Sequence, residues 1–130
     1  MEFINVIVAA AVAFGLGAVW YMVLSKPWIA ASGVATGPDG RPLNAGARPF
    51  VIGFFAILLV AGMMRHMLAY TGLDSVAAGM QAGFGIGAFL ITPWIALNAA
   101  YAGRPAALVA IDGGYATLAC TAMGAVLMLF

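Results

Sequence analysis

The most constraining feature of this sequence is the length of its apolar runs, which are almost free of charged residues. Four such runs occupy residues 3–24, 49–70, 75–101 and 105–130. Only Arg65 in the second and Asp112 in the fourth carry a charge. Each run is long enough for an α-helix to cross a bilayer, which takes about 20 residues. The sequence therefore predicts an all-α, polytopic integral membrane protein, a four-helix bundle in which the whole chain forms one transmembrane domain.

The composition supports this prediction and excludes several other classes of protein. The chain is 65% hydrophobic and 7% charged, whereas roughly a quarter of the residues of an average soluble domain are charged. A soluble domain, a disordered tail and a basic nucleic-acid binder are all excluded. The single cysteine excludes a disulfide framework and a thiolate zinc site. The expected surroundings are the lipid bilayer, and no nucleic-acid partner is expected.

The cationic residues predict how the helices are oriented. The loop at about 25–48 and the connection before the fourth run share one side of the membrane, and they contain Lys26, Arg41, Arg48 and Arg104. Arg65 is the one Lys or Arg on the other side. Because cytoplasmic loops carry the excess of Lys and Arg, we expect loops 1 and 3 in the cytoplasm and both termini outside. No Lys or Arg precedes position 26, so we expect a retained first helix and not a signal peptide.

Aromatic residues near the ends of the predicted spans are typical of interfacial anchors. They are Trp20, Trp28, Trp94 and Tyr101. Trp and Tyr are enriched at membrane–water interfaces because one end of the ring system is apolar and the other is polar.

Small residues recur every four positions in the third run and predict a helix-packing surface. They are Ser75, Gly79, Gly83 and Gly87. Gly17 in the first run and Gly124 in the fourth belong to similar strips. Such strips let two helix backbones approach closely inside a membrane. We expect packing within the bundle, and association with another copy or another membrane protein is the alternative.

A weak internal similarity suggests duplication of a helical hairpin, and chance similarity of Gly/Ala-rich segments is the alternative. Residues 14–18 read FGLGA and residues 84–88 read FGIGA. An Arg-Pro pair begins the second run and another begins the fourth. The two halves would then have the same topology.

Polar residues inside the spans are the candidates for chemistry, because they are costly in lipid and are usually partnered. Asp112 lies seven residues beyond Pro105, roughly 10 Å along the fourth helix. The predicted intramembrane polar cluster consists of Asp112, Asn98, Tyr21, Tyr115, Lys26, Arg48 and Arg104. We expect a clamp between helices in which Lys26 or Arg48 pairs with Asp112, aided by Asn98 or Tyr21. The alternative is a site that handles protons or a solute.

A second constellation, Met63, His66 and Met67, shares one face of a helix. Thioether and imidazole groups suit Cu(I), and they also ligate haem iron. Methionine is a common filler of apolar spans, however, and a single His is seldom a site. The expectation is therefore that the protein has no metal or other cofactor, with these three residues as the alternative.

No hydrolase, metalloprotease or nucleotide-binding motif is present, and one intramembrane carboxylate is a poor basis for acid–base catalysis. We expect a protein that is not an enzyme. The favoured function is that of a helix-packing module acting as a homo-oligomer or as an accessory subunit of a membrane complex.

Two groups of residues resemble signatures of a known family. The first is Trp20-Tyr21, Lys26 and Trp28, and the second is Asn98, Tyr101, Gly103-Arg104, Asp112 and Gly114-Tyr115. Together they resemble the domain-of-unknown-function family 1761, over nearly the whole chain. The resemblance implies a small four-helix protein of the bacterial inner membrane, and it implies no activity.

Overall fold

A computed structural model describes residues 2–130 and shows an all-α chain. The helices are α1 (Glu2–Val23), α2 (Ser25–Ser32), α3 (Ala47–Ala69), α4 (Val76–Ile86), a π-helical turn (Gly87–Ile91), α5 (Thr92–Tyr101) and α6 (Ala106–Leu127). Four helical stretches are long and apolar enough to span a membrane: Phe3–Val23, Ala47–Ala69, Val76–Tyr101 and Ala106–Leu127. The predicted fold class, an all-α polytopic bundle, is confirmed. Duplication of a hairpin stays a prediction.

Residues 25–48 are expected from the sequence to form a loop, but only part of this connection is irregular. Its first eight residues form α2, which follows α1 almost without a break. Pro27 lies in the first turn of α2, where a missing N–H costs nothing. The helix ends at Gly33, whose φ of 69° is the left-handed conformation that glycine adopts readily.

The third span contains a π-helical turn, and Pro93 explains why it lies there. Proline has no N–H and clashes with the carbonyl four residues earlier, so a regular helix cannot continue through it. The backbone N–H of Thr92 donates to the Gly87 carbonyl instead, which is the wider π spacing. The Thr92 hydroxyl donates to the same carbonyl at 2.7 Å. The π-helical turn is therefore stabilised by hydrogen bonds within its own helix.

Helix α6 lies at the centre of the bundle. It contacts α1, α2, α4, the π turn and α5, whereas α3 packs mainly against α1 and touches α6 over a small area. A buried core joins α1, α3 and α6, and it consists of Ala9, Ala10, Ala13, Ala61, Met64, Leu68, Ala119, Cys120, Met123 and Leu127. Arg65 reaches the end of α6, where its Nη1 lies 3.5 Å from the Leu127 carbonyl oxygen.

Glycines bring the backbones of α4 and α6 into direct contact. Gly79 lies against Gly124, Gly83 lies against Cys120, and Gly87 lies against Thr117. At each of these three glycines, two in α4 and one at the start of the π-helical turn, an added Cβ would collide with backbone atoms of α6. Lipid provides no hydrophobic drive for helix association, so this close approach supplies the dispersion contacts that hold α4 in place. The structure thus uses the small-residue strip of the third run inside the bundle.

Gly83→Ala is predicted to destabilise the bundle, although alanine is the better helix former. The new methyl group meets the Cys120 carbonyl, and we expect a loss of about 1–3 kcal/mol, as for other overpacked sites. The matched control is Gly15→Ala, where no atom lies within 4 Å of the new Cβ. Thermal unfolding in mild detergent followed by circular dichroism measures both. Equal unfolding temperatures for the two variants would contradict the α4–α6 contact.

Candidate functional site

A hydrogen bond between two polar side chains joins α1 to α6 inside the membrane. The Tyr21 hydroxyl donates to Oδ1 of Asp112 over 2.6 Å. Both residues are half-buried. The distance is typical of a hydroxyl that donates to a carboxylate, the stronger class of hydrogen bond. The carboxylate of the fourth span therefore has a donor supplied by the first.

Two further hydrogen bonds cross the same helix pair. Nε1 of Trp20 donates to the Ile111 carbonyl at 2.9 Å, and the Tyr115 hydroxyl donates to the Ala13 carbonyl at 2.7 Å. Both acceptors are backbone carbonyls, so each bond ties an aromatic side chain to the facing helix. Together with the Tyr21 bond, they fix the axial position of α1 relative to α6.

Two glycines make room for these aromatic rings. A Cβ at Gly17 would lie 2.7 Å from the Tyr115 hydroxyl oxygen, and one at Gly114 would lie 2.9 Å from the Trp20 ring. The rings of Tyr21 and Tyr115 meet edge to face, with centroids 5.4 Å apart. The site is therefore a packed aromatic layer that contains one carboxylate.

The structure brings Tyr21, Asp112 and Tyr115 together, but it does not add the cations or Asn98 to this cluster. Within residues 2–130, no ion pair joins Asp112 to Lys26, Arg48 or Arg104, all of which are exposed. The expected pairing of Asp112 with Lys26 or Arg48 is replaced by the bond from Tyr21. The physical reason is position, since both cations stay exposed at the end of the bundle while the tyrosine ring reaches inward.

Asn98 and Arg104, two members of the predicted polar cluster, have surroundings different from those of Asp112. The Asn98 side chain is exposed on α5. The guanidinium of Arg104 lies against Gly33, where α2 ends. Arg104 therefore brings the connection before α6 next to the first one, and the cation-rich segments share one end of the bundle.

The four predicted interfacial aromatics have two kinds of surroundings. Trp94 and Tyr101 are exposed, as an anchor in the headgroup region requires. Trp20 and Trp28 are half-buried. Trp20 packs between α1 and α6, and the Trp28 ring meets the Tyr21 ring edge to face at 6.1 Å. The latter two tryptophans therefore belong to the packed aromatic layer.

A cavity of about 650 Å³ lies beside this layer. Tyr21, Trp28, Phe50, Gly53 and Tyr115 are among the residues that line it. Sequence reasoning missed this cavity because it arises where the start of α3 stands away from α6, and no local pattern encodes that separation.

The alternative metal site lies on one helix. Met63, His66 and Met67 are exposed on α3, and the His66 ring meets the Tyr70 ring at 5.2 Å. No group of three or more His, Cys, Asp or Glu side chains comes together in the part of the chain that the structure describes. Binding of Cu(I) or haem through the two methionines and the histidine stays a prediction.

Comparison with known families assigns the chain. The family described as a protein of unknown function, DUF1761, matches residues 4–128, nearly the whole chain. The chain belongs to this family. The resemblance seen in the sequence is thereby confirmed. No curated protein and no solved structure matches the chain. Membership in DUF1761 gives no indication of catalysis.

The Tyr21–Asp112 bond makes a quantitative prediction. Tyr21→Phe removes the donor and leaves the carboxylate without it, so the free energy of unfolding is expected to fall by about 1–2 kcal/mol. Asp112→Asn retains an acceptor oxygen and should cost less than Asp112→Leu. A double-mutant cycle of Tyr21→Phe with Asp112→Leu, measured by unfolding in mild detergent, should show a coupling energy of at least about 0.5 kcal/mol. Tyr101→Phe, at an exposed tyrosine, is the control. Additive effects of the two substitutions would contradict the bond.

Proposed function

We propose that this protein is a non-catalytic membrane module that works by lateral association, as a homo-oligomer or as an accessory subunit of a larger complex. The observation that carries the proposal is Gln81, whose side chain is exposed in the middle of α4, within the third span. An amide that faces hydrocarbon without a partner is costly. Amide side chains in membrane helices commonly bond across to another helix.

The surroundings of Gln81 support this proposal. Gly85 lies one turn further on the same side of α4, and no atom lies within 4 Å of the place where its Cβ would be. Ala77, one turn earlier, is also small and exposed. Because Gly79, Gly83 and Gly87 are already covered by α6, this outer side of α4 is the side open to a further helix. A helix seated there could approach closely at Gly85 and bond to the Gln81 amide.

The arrangement of the ionisable groups supports a role without catalysis. His66 follows Arg65, which contacts the Leu127 carbonyl at the end of α6. Asp112 lies fifteen residues earlier in that helix, roughly 22 Å away along its axis. The histidine and the intramembrane carboxylate are therefore too far apart to act as one acid–base pair.

Gentle extraction from the native membrane tests the proposal. We expect a complex larger than one chain in mild detergent, measured by light scattering after gel filtration. Gln81→Leu and Gly85→Leu should reduce its mass, because the first removes the amide and the second blocks close approach. Gly15→Leu, an open glycine on α1, should leave the mass unchanged.

The composition of that complex separates the two forms of the proposal. A stoichiometric foreign membrane protein identifies an accessory subunit, whereas copies of this chain alone identify a homo-oligomer. A lone chain under the gentlest extraction would contradict lateral association. A larger complex whose mass is unaffected by both variants would contradict the outer side of α4 as its surface.

A second candidate function is the handling of protons or a small solute at Asp112. It is favoured by the Tyr21 hydroxyl, which donates to this carboxylate beside an intramembrane cavity. If this function is correct, Asp112→Asn will abolish proton or solute flux in proteoliposomes while the unfolding temperature stays close to that of the wild type. Asp39→Asn, in the exposed first connection, is the control. Unchanged flux in Asp112→Asn would exclude the carboxylate from such a pathway.

We also propose that the bundle end carrying Lys26, Arg41, Arg48 and Arg104 faces the cytoplasm of a bacterium, with the chain in the inner membrane. Arg104 packs against the end of α2, so the two cation-rich connections lie together. This orientation is supported by the general excess of Lys and Arg in the cytoplasmic loops of membrane proteins.

A further inference from the structure

The cavity beside Tyr21 is a wedge between α1, α2, α3 and α6. At one end of α3, Met64 and Leu68 belong to the same buried core as Met123 and Leu127 of α6. At the other end, Phe50 and Gly53 line the cavity and are separated by it from Tyr115. Helix α2 and the following connection cover this end through Trp28 and Pro42. The wedge thus lies at the end of the bundle formed by α2 and the first connection, away from the end of α3 that is packed in the core.

The lining of the wedge is suited to an apolar occupant. Its walls are almost wholly aliphatic and aromatic, and its few polar groups are Ser25 and the hydroxyls of Tyr21 and Tyr115. Both tyrosine hydroxyls donate within the protein, to Asp112 and to the Ala13 carbonyl. Because these donors are engaged, the wall offers little to a polar molecule. The volume of about 650 Å³ falls in the usual range for a small-molecule site, about 300–1,000 Å³.

Three cationic residues are direct sequence neighbours of residues that line the wedge. Lys26 follows the lining residue Ser25, Arg41 precedes the lining residue Pro42, and Arg48 precedes the lining residue Pro49. All three are exposed. One carboxylate, Asp39, lies in the same connection, where it accepts the backbone N–H of Arg41 at 3.1 Å. An apolar wedge whose lining segments also carry three exposed cations and one carboxylate complements a ligand that has an apolar tail and an anionic head.

We propose that this wedge holds one acyl chain of an anionic phospholipid, whose phosphate lies among Lys26, Arg41 and Arg48. The chain fills space that α3 leaves open in the bilayer, where an empty apolar cavity would lose dispersion contacts. The headgroup contacts select the lipid, since the apolar walls distinguish poorly between one phospholipid and another. The wedge is separate from the outer side of α4 that carries Gln81. A negative result for lipid binding in the wedge would therefore leave the proposal of lateral association untouched, and the reverse also holds.

Native mass spectrometry of the whole chain tests this proposal. The protein is released from nanodiscs that contain equal amounts of phosphatidylglycerol and phosphatidylcholine. We expect one retained phosphatidylglycerol per chain. Gly53→Phe should abolish the adduct, because the site of the new side chain is open and faces the wedge. Gly15→Phe, at an open glycine outside the wedge, is the matched control and should retain it. The double variant Lys26→Gln/Arg48→Gln should lose the preference for phosphatidylglycerol.

Photo-crosslinking of the wild-type protein provides a second test, which does not depend on whether the variants fold. A phosphatidylglycerol with a diazirine in its acyl chain should label Met22, Trp28 or Phe50, which line the wedge. Labels spread evenly over the lipid-facing helices would overturn the proposal. An equal adduct in Gly53→Phe, equal retention of phosphatidylcholine, or a free fatty acid in place of the phospholipid would overturn it as well.

Discussion

Close packing against α6 is the constraint on which the rest of this structure depends. In lipid, helices gain little from burying apolar side chains, so they must approach until backbone atoms meet or must bond through polar groups. Helix α6 uses both routes. Toward α4 it presents Gly124 and Cys120 to Gly79 and Gly83, and toward α1 it accepts hydrogen bonds from Trp20 and Tyr21. The third interface, between α1 and α3, consists of apolar side chains in the core and of the Phe14 ring, which meets the rings of Phe50 and Phe54.

This unequal packing produces the two surfaces on which the proposals rest. Because α4 is held on one side by glycine, its opposite side carries Gln81 and Gly85 toward the bilayer. Because α3 meets α6 closely only near Met64 and Leu68, its other end leaves a cavity beside Tyr21. Both surfaces thus follow from the way in which α6 holds its neighbours. The Tyr21–Asp112 bond stabilises the central pair, α1 and α6.

Much of the fold could be predicted from the sequence, because hydropathy acts on each segment separately. A run of about 20 apolar residues must form a helix in a bilayer, because backbone N–H and C=O groups without hydrogen bonds have a very high free-energy cost there. The four spans therefore follow from the sequence alone. The four-residue spacing of Gly79, Gly83 and Gly87 likewise predicts a close contact, because these positions lie on one side of any helix. The choice of α6 as the partner of that strip is not encoded in its spacing.

The sequence by itself determined that this chain has four segments able to span a membrane, that Asp112 lies within one of them and that four of the five cations, all except Arg65, lie in or next to the connections. Only the tertiary structure decided that the donor to Asp112 is the Tyr21 hydroxyl and not Lys26 or Arg48. It also decided that α2 is helical and that a cavity separates the start of α3 from Tyr115. The reason is that burial in lipid is a property of one segment. The partner of a side chain depends on the rotation and tilt of two helices, which are set by contacts far apart in the sequence.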